Sequence, residues 1–170
     1  MSLNTNAPTA AFTAGETTTV TGKLNEMRTA FAGLQASWDT YTPVLQAATT
    51  NPTVTYTTQD GQYLRIGNTI MGTALIVLNA VTSAGSGTLW VTMPVATTTL
   101  GQYGAVGGCH IWYSGSGAGN FYAGTTRFNS ATNRFVLGLT GVTNAAAATS
   151  TPQALSGGTI ISVNFTYPVA

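Results

Sequence analysis

The stretch GQYLRIGNTIMGTALIVLNAVTSAGSGTLWVTMP, residues 61–94, decides the fold. Gln62–Ile66 and the long run Thr69–Val81 are rich in β-branched and apolar residues, and they flank Gly67-Asn68, a turn signal. After the loop SAGSG at 83–87, Leu89, Val91 and Met93 alternate with Trp90 and Thr92, so this strand has two unlike faces until Pro94 ends it. The longest apolar stretch, Ile70–Leu78, is interrupted by Gly72 and Thr73. It falls far short of the roughly 18 residues that a membrane span needs, so no membrane insertion is expected.

The same grammar extends in both directions. Tyr41–Ala47 and Thr53–Thr58 read as strands, with Asp60-Gly61 as a hairpin turn before Gln62–Ile66. Tyr103–Tyr113, Phe121–Phe128, Arg134–Leu139 and Thr159–Tyr167 supply four more, separated by GSGAG, SATN and an alanine-rich loop around Ala145–Ala148. Eight or so short strands divided by turn signals predict a mainly β fold, a jelly-roll-like antiparallel β-sandwich over residues 39–170.

Composition agrees. The 170 residues include 33 Thr and 20 Gly but one Lys and two Glu, which starves helices and favours strands. Only 5% of residues are charged, against a usual value of about 25%, while 44% are hydrophobic, enough for a packed core. A β protein with so few charges has little with which to protect its strand edges, so its surfaces are expected to be covered by copies of itself or by a larger assembly. After Asp60 the chain contains no carboxylate, only Arg65, Arg127 and Arg134. Three dispersed arginines are too few for a nucleic-acid footprint, so no nucleic-acid partner is expected.

Ahead of the β region lie two other kinds of sequence. Residues 1–19 are polar, aperiodic and carry Pro8, which reads as an extended arm. Over residues 20–38, Val20, Leu24, Met27, Phe31, Leu34 and Trp38 follow at intervals of 4, 3, 4, 3 and 4, an a/d alternation on one short amphipathic helix. Such a helix is marginal alone. Its stripe packs either on its own β domain or against sister helices in a parallel homotrimer, and the narrowness of the stripe favours the trimer. The expected organisation is an arm at 1–19, a trimerising helix at 20–38 and a β head at 39–170.

Catalytic chemistry has few candidates. Within the β region the only acids are Asp39 and Asp60, and the single His110 has no carboxylate after residue 60 to orient it. Its neighbour Cys109 falls on the opposite face of a strand, which rules out a dyad within one chain. Asp39 reads as a structural residue between helix and first strand, and Asp60 as a turn residue. No enzyme activity and no cofactor or metal site within one chain is expected, although three copies of His110 on a three-fold axis would be able to hold a metal. The remaining candidates are aromatic: Trp112-Tyr113 and Phe121-Tyr122 bracket the GSGAG loop. One member of each pair on an exposed face would suit stacking on a glycan ring; the alternative is that all four pack in the core or between subunits.

Several segments taken in order resemble a known family. They are Phe12-Thr13-Ala14-Gly15-Glu16, Leu24-Asn25, Trp38-x-x-Tyr41-Thr42-Pro43, Thr49-Thr50-Asn51-Pro52, Gly61-x-Tyr63-x-Arg65-Ile66-Gly67 and Gly85-Ser86-Gly87-Thr88 leading to Pro94-Val95. This series resembles the virion-surface β domains of tailed bacteriophages, found in head decoration, minor tail and fibre-like proteins, especially of actinobacterial phages. The resemblance implies a trimeric, non-enzymatic module on the virion surface. Its first expected role is capsid decoration with residues 1–19 gripping capsid subunits. The alternative is a minor tail protein or fibre tip that binds a host-surface receptor or glycan.

Overall fold

The computed structural model describes residues 20–25, 27, 38–96, 104–114, 120–129, 133–140 and 153–169. The chain forms two compact units, residues 1–36 and 37–170. In the first, residues 20–25 and 27 are helical.

The second unit is mainly β. Its strands are β1 (Asp39–Tyr41), β2 (Leu45–Ala47), β3 (Thr53–Ile66), β4 (Thr69–Ser83), β5 (Leu89–Thr92), β6 (Ala105–Tyr113), β7 (Asn120–Asn129), β8 (Arg134–Leu139) and β9 (Ile160–Pro168). All pairings are antiparallel, in one sheet of order β1-β3-β4-β9-β6-β7-β8-β5-β2. The jelly-roll-like class holds, but the two layers are one continuous curled sheet. They are joined because the start of β9 pairs on both sides, with Ile160–Val163 facing Trp112–Cys109 of β6 and Val77–Ala74 of β4.

Period-two alternation sets the interior. Ile70, Ala74, Ile76 and Leu78 of β4 and Ile161, Val163, Phe165 and Tyr167 of β9 are buried from one layer. Cys109, Ile111 and Tyr113 of β6, Phe128 of β7, Phe135, Leu137 and Leu139 of β8, and Leu89 and Val91 of β5 meet them from the other. Phe135 stacks on Phe165 with ring centroids 4.7 Å apart, although β8 and β9 are not sheet neighbours. That contact is where the curled sheet closes on itself.

Two turn expectations divide sharply. Gly67-Asn68 is the hairpin between β3 and β4, with Gly67 at φ 58°, a backbone conformation that glycine adopts without penalty. Asp60-Gly61, expected as a hairpin turn, instead lies within β3, in register with Leu75 and Ala74. The glycine serves a close approach: a Cβ at Gly61 would collide with the ring of Tyr41, which lies over it from β1. Tertiary packing overrides the local turn signal.

The expected strand Tyr41–Ala47 is also divided. Pro43 interrupts it, leaving β1 on β3 and β2 on β5, at opposite edges of the sheet. The connector Thr42–Val44 is held from both sides. Gln59 Nε2 donates to Pro43 O at 2.8 Å, Val44 N donates to Thr92 Oγ1 at 2.8 Å, and Thr92 N donates to Val44 O at 3.1 Å.

Burial leaves an acid-base signature. The Tyr167 hydroxyl, which donates to Val95 O at 2.8 Å, is pushed up to about 12 by burial, and the Cys109 thiol to about 11. Burial also raises the Tyr41 and Tyr113 phenols, whose hydroxyls have no hydrogen-bond partner among the described residues. Each of these groups ionises more readily in the unfolded chain, so its stabilising contribution is complete below the ordinary value and declines as pH rises toward the folded one. The melting temperature is therefore expected to begin falling between pH 9 and 10, around the ordinary values of 9.0 for cysteine and 10.0 for tyrosine. A melting temperature level to pH 11 would contradict this.

Candidate binding surface

The outer face of the sheet carries two exposed aromatic groups among the described residues, Trp112 and Phe121. On β6, Cys109, Ile111 and Tyr113 point inward, so His110 and Trp112 point outward. On β7, Phe121 is exposed while Tyr122 is half-buried and packs against the core. Tyr113 and Tyr122 meet edge-on with centroids 5.9 Å apart. The two tyrosines therefore leave the candidate set, because their rings are spent on the interior. Trp112 and Phe121 remain, 38% and 64% exposed.

Register brings further residues to this pair. Val77, Ile160, Trp112 and Phe121 stand opposite one another across β4, β9, β6 and β7. The adjacent row is Leu75, Ser162, His110 and Ala123. Phe121 leans diagonally onto His110, with ring centroids 5.1 Å apart and planes 26° from parallel. His110, Trp112, Phe121, Ile160 and Ser162 line a depression of about 470 Å³. Its floor is almost wholly apolar, and the His110 imidazole and the Ser162 hydroxyl contribute only a small polar part of it.

Next to it along β9, Asn164 Oδ1 accepts a hydrogen bond from Gly108 N at 2.6 Å, one residue beyond Cys109–Val163, where the β6–β9 register ends. The side-chain amide thus stands in for a ladder bond where the β6–β9 ladder stops. The sequence pattern alone supports reading His110 as an ordinary strand histidine or a three-fold metal ligand. It does not place His110 in a stacked pair, and it does not point to Ile160 or Ser162.

Comparison with protein-family models, with curated proteins and with solved structures finds no match. The surface must therefore be read from its own chemistry.

A second depression, of about 450 Å³, is lined by Thr40, Tyr41, Thr42, Gln59, Asp60, Gly61 and Gln62. Among the described residues, Asp60 is the one carboxylate lining it. Asp39, on β1 opposite Tyr63, is exposed. Among the described residues no three His, Cys, Asp or Glu side chains are grouped to hold a metal, and no helix is long and apolar enough to cross a membrane.

The expected trimer stripe is described in part. Val20, Leu24 and Met27 are helical, and Leu24 and Met27 are 57% and 55% exposed. Phe31 and Leu34 lie outside the described residues, as does the arm at 1–19. Trp38 is not helical; it belongs to the second unit, immediately before β1, and is exposed.

Proposed function

We propose that this protein is a non-enzymatic structural component of a bacteriophage virion, a homotrimer that decorates the capsid surface and grips it through residues 1–19. The observation that carries the reading is the apolar stripe of the N-terminal helix. Val20, Leu24 and Met27 recur at coiled-coil spacing on the described helical residues, and a short helix with such a stripe is stabilised when partner helices bury it. A chain with 5% charged residues fits the same reading, since proteins that stay separate in solution generally carry more net charge.

A second reading is a minor tail protein or fibre tip that binds a host-surface receptor. It is favoured by Trp112 and Phe121, two large aromatic side chains directed outward and side by side. Immunogold electron microscopy of intact virions of the encoding phage distinguishes the readings. Many labels spread over the head are expected for decoration. A few labels at the tail tip would favour the second reading, and no label on the particle would remove both.

A further inference from the structure

We propose that the outer face of β6, β7 and β9 is a carbohydrate site for one neutral pyranose ring, with Trp112 and Phe121 as its stacking platform and His110 and Ser162 as its hydroxyl partners. The inference does not depend on where a virion carries the protein, because it concerns the isolated chain.

A pyranose has an apolar face of C–H groups and a rim of hydroxyls. A complementary surface therefore needs aromatic carbon beneath the ring and neutral donors and acceptors at its edge. The two rows on this face have that division. Ile160, Trp112 and Phe121 form a continuous apolar row across three strands, while Ser162 and His110 lie one pleat further along on the same face. The stack of Phe121 on His110 holds both rings in place before any ligand arrives, which lowers the ordering cost of binding. The 470 Å³ depression is within the usual range of about 300–1,000 Å³ for small-molecule sites.

Charge selects a neutral ligand. The outward positions of β4, β6 and β9, and those of β7 as far as Thr125, include no Asp, Glu, Lys or Arg. Asp60 is three strands from His110 along the register, about 14 Å at the usual strand spacing. Among the described residues no permanently charged side chain lies at this site to offset the desolvation of a charged sugar, sulfate or phosphate.

Area argues against a second copy as the occupant. Trp112, Phe121 and Leu75, the last 40% exposed, together present on the order of 300 Å² of apolar surface for side chains of this size. A stable protein interface buries about 800 Å² on each partner, of which roughly 450 Å² is apolar. A single sugar ring matches the available platform.

The test uses the full-length protein and a panel of neutral methyl pyranosides, including the gluco, galacto, manno and N-acetylglucosamine forms. Saturation-transfer NMR and tryptophan fluorescence provide the readouts. At least one pyranoside is expected to bind in the millimolar range, receiving saturation mainly at the C–H protons of one ring face. Trp112→Ala and Phe121→Ala should each weaken binding about tenfold or more. Trp112→Phe should retain a measurable part, and Trp38→Ala, outside the platform, should bind as wild type. Circular dichroism and melting identify any variant that has lost its fold, and the exposure of Trp112 and Phe121 makes both substitutions tolerable to the core. The proposal is overturned if no pyranoside binds at concentrations of tens of millimolar, or if binding survives both alanine variants. Self-association of the wild type that Phe121→Ala abolishes, without sugar binding, would also overturn it by assigning this face to a second copy.

Discussion

Phe135→Ala is expected to destabilise the β body by about 3–5 kcal/mol, the usual cost of emptying a buried phenylalanine site. Phe135 is fully buried and stacks on Phe165, and its ring also meets Tyr167 edge-on with centroids 5.8 Å apart. Tyr167 is fixed at its far end by Val95, so the three rings cannot readily collapse into the space left by a truncated side chain. Poor collapse places the cost toward the upper part of that range. A domain has roughly 5–15 kcal/mol in total, so the variant should melt on the order of 10–20 °C lower, or fail to fold. Phe135→Leu, which refills most of the volume, should lose less than half as much. Thermal melting followed by near-ultraviolet circular dichroism checks both. Equal losses for the two variants would show that ring stacking, rather than volume, holds the layers together.

Leu24→Asp is expected to convert a trimer into monomers. In a three-helix bundle the substitution places three carboxylates in one dry layer, where each loses hydration and repels the other two. The loss of apolar contact adds about 2–5 kcal/mol per chain, enough to dissociate an assembly at micromolar concentration. Sedimentation velocity should give three times the 17.4 kDa chain mass for wild type and the chain mass for the variant. Phe31→Asp, at the same heptad stripe, should do the same. The β body should melt unchanged in either variant. A wild-type protein that sediments as a monomer ends the trimer proposal.

Legibility in the sequence follows the range of the interactions concerned. Arg134–Leu139 is legible with its observed bounds, and Gly67-Asn68 is legible as a turn, because both signals are local. Asp60-Gly61 has an equally good local turn signal, and that signal misleads. The residue that decides its role, Tyr41, is 20 positions away and meets it only through strand pairing. The β1–β2 break is visible in Pro43, but the separation of the two strands to opposite sheet edges is not.

The candidate surface divides in the same way. Alternation around Cys109, a residue type that prefers burial, is enough by itself to direct His110 and Trp112 outward. The choice between Phe121 and Tyr122 depends on the register of β7 against β6. Ile160 and Ser162 reach the site from a strand about 50 residues later in the chain, and only sheet order brings them there.

The position of β9 has a consequence in time. During synthesis this is the last of the strands among the described residues to be made, yet it lies between β4 and β6 in the sheet order. Until Ile160–Pro168 has been made, β4 and β6 each have an edge without its native neighbour, and Phe135 has no Phe165 to stack on. The body cannot mature progressively from its N-terminal end. Its assembly is a late event in which distant segments meet together, which makes for slow folding and leaves the newly made chain most exposed to mispairing just before β9 emerges.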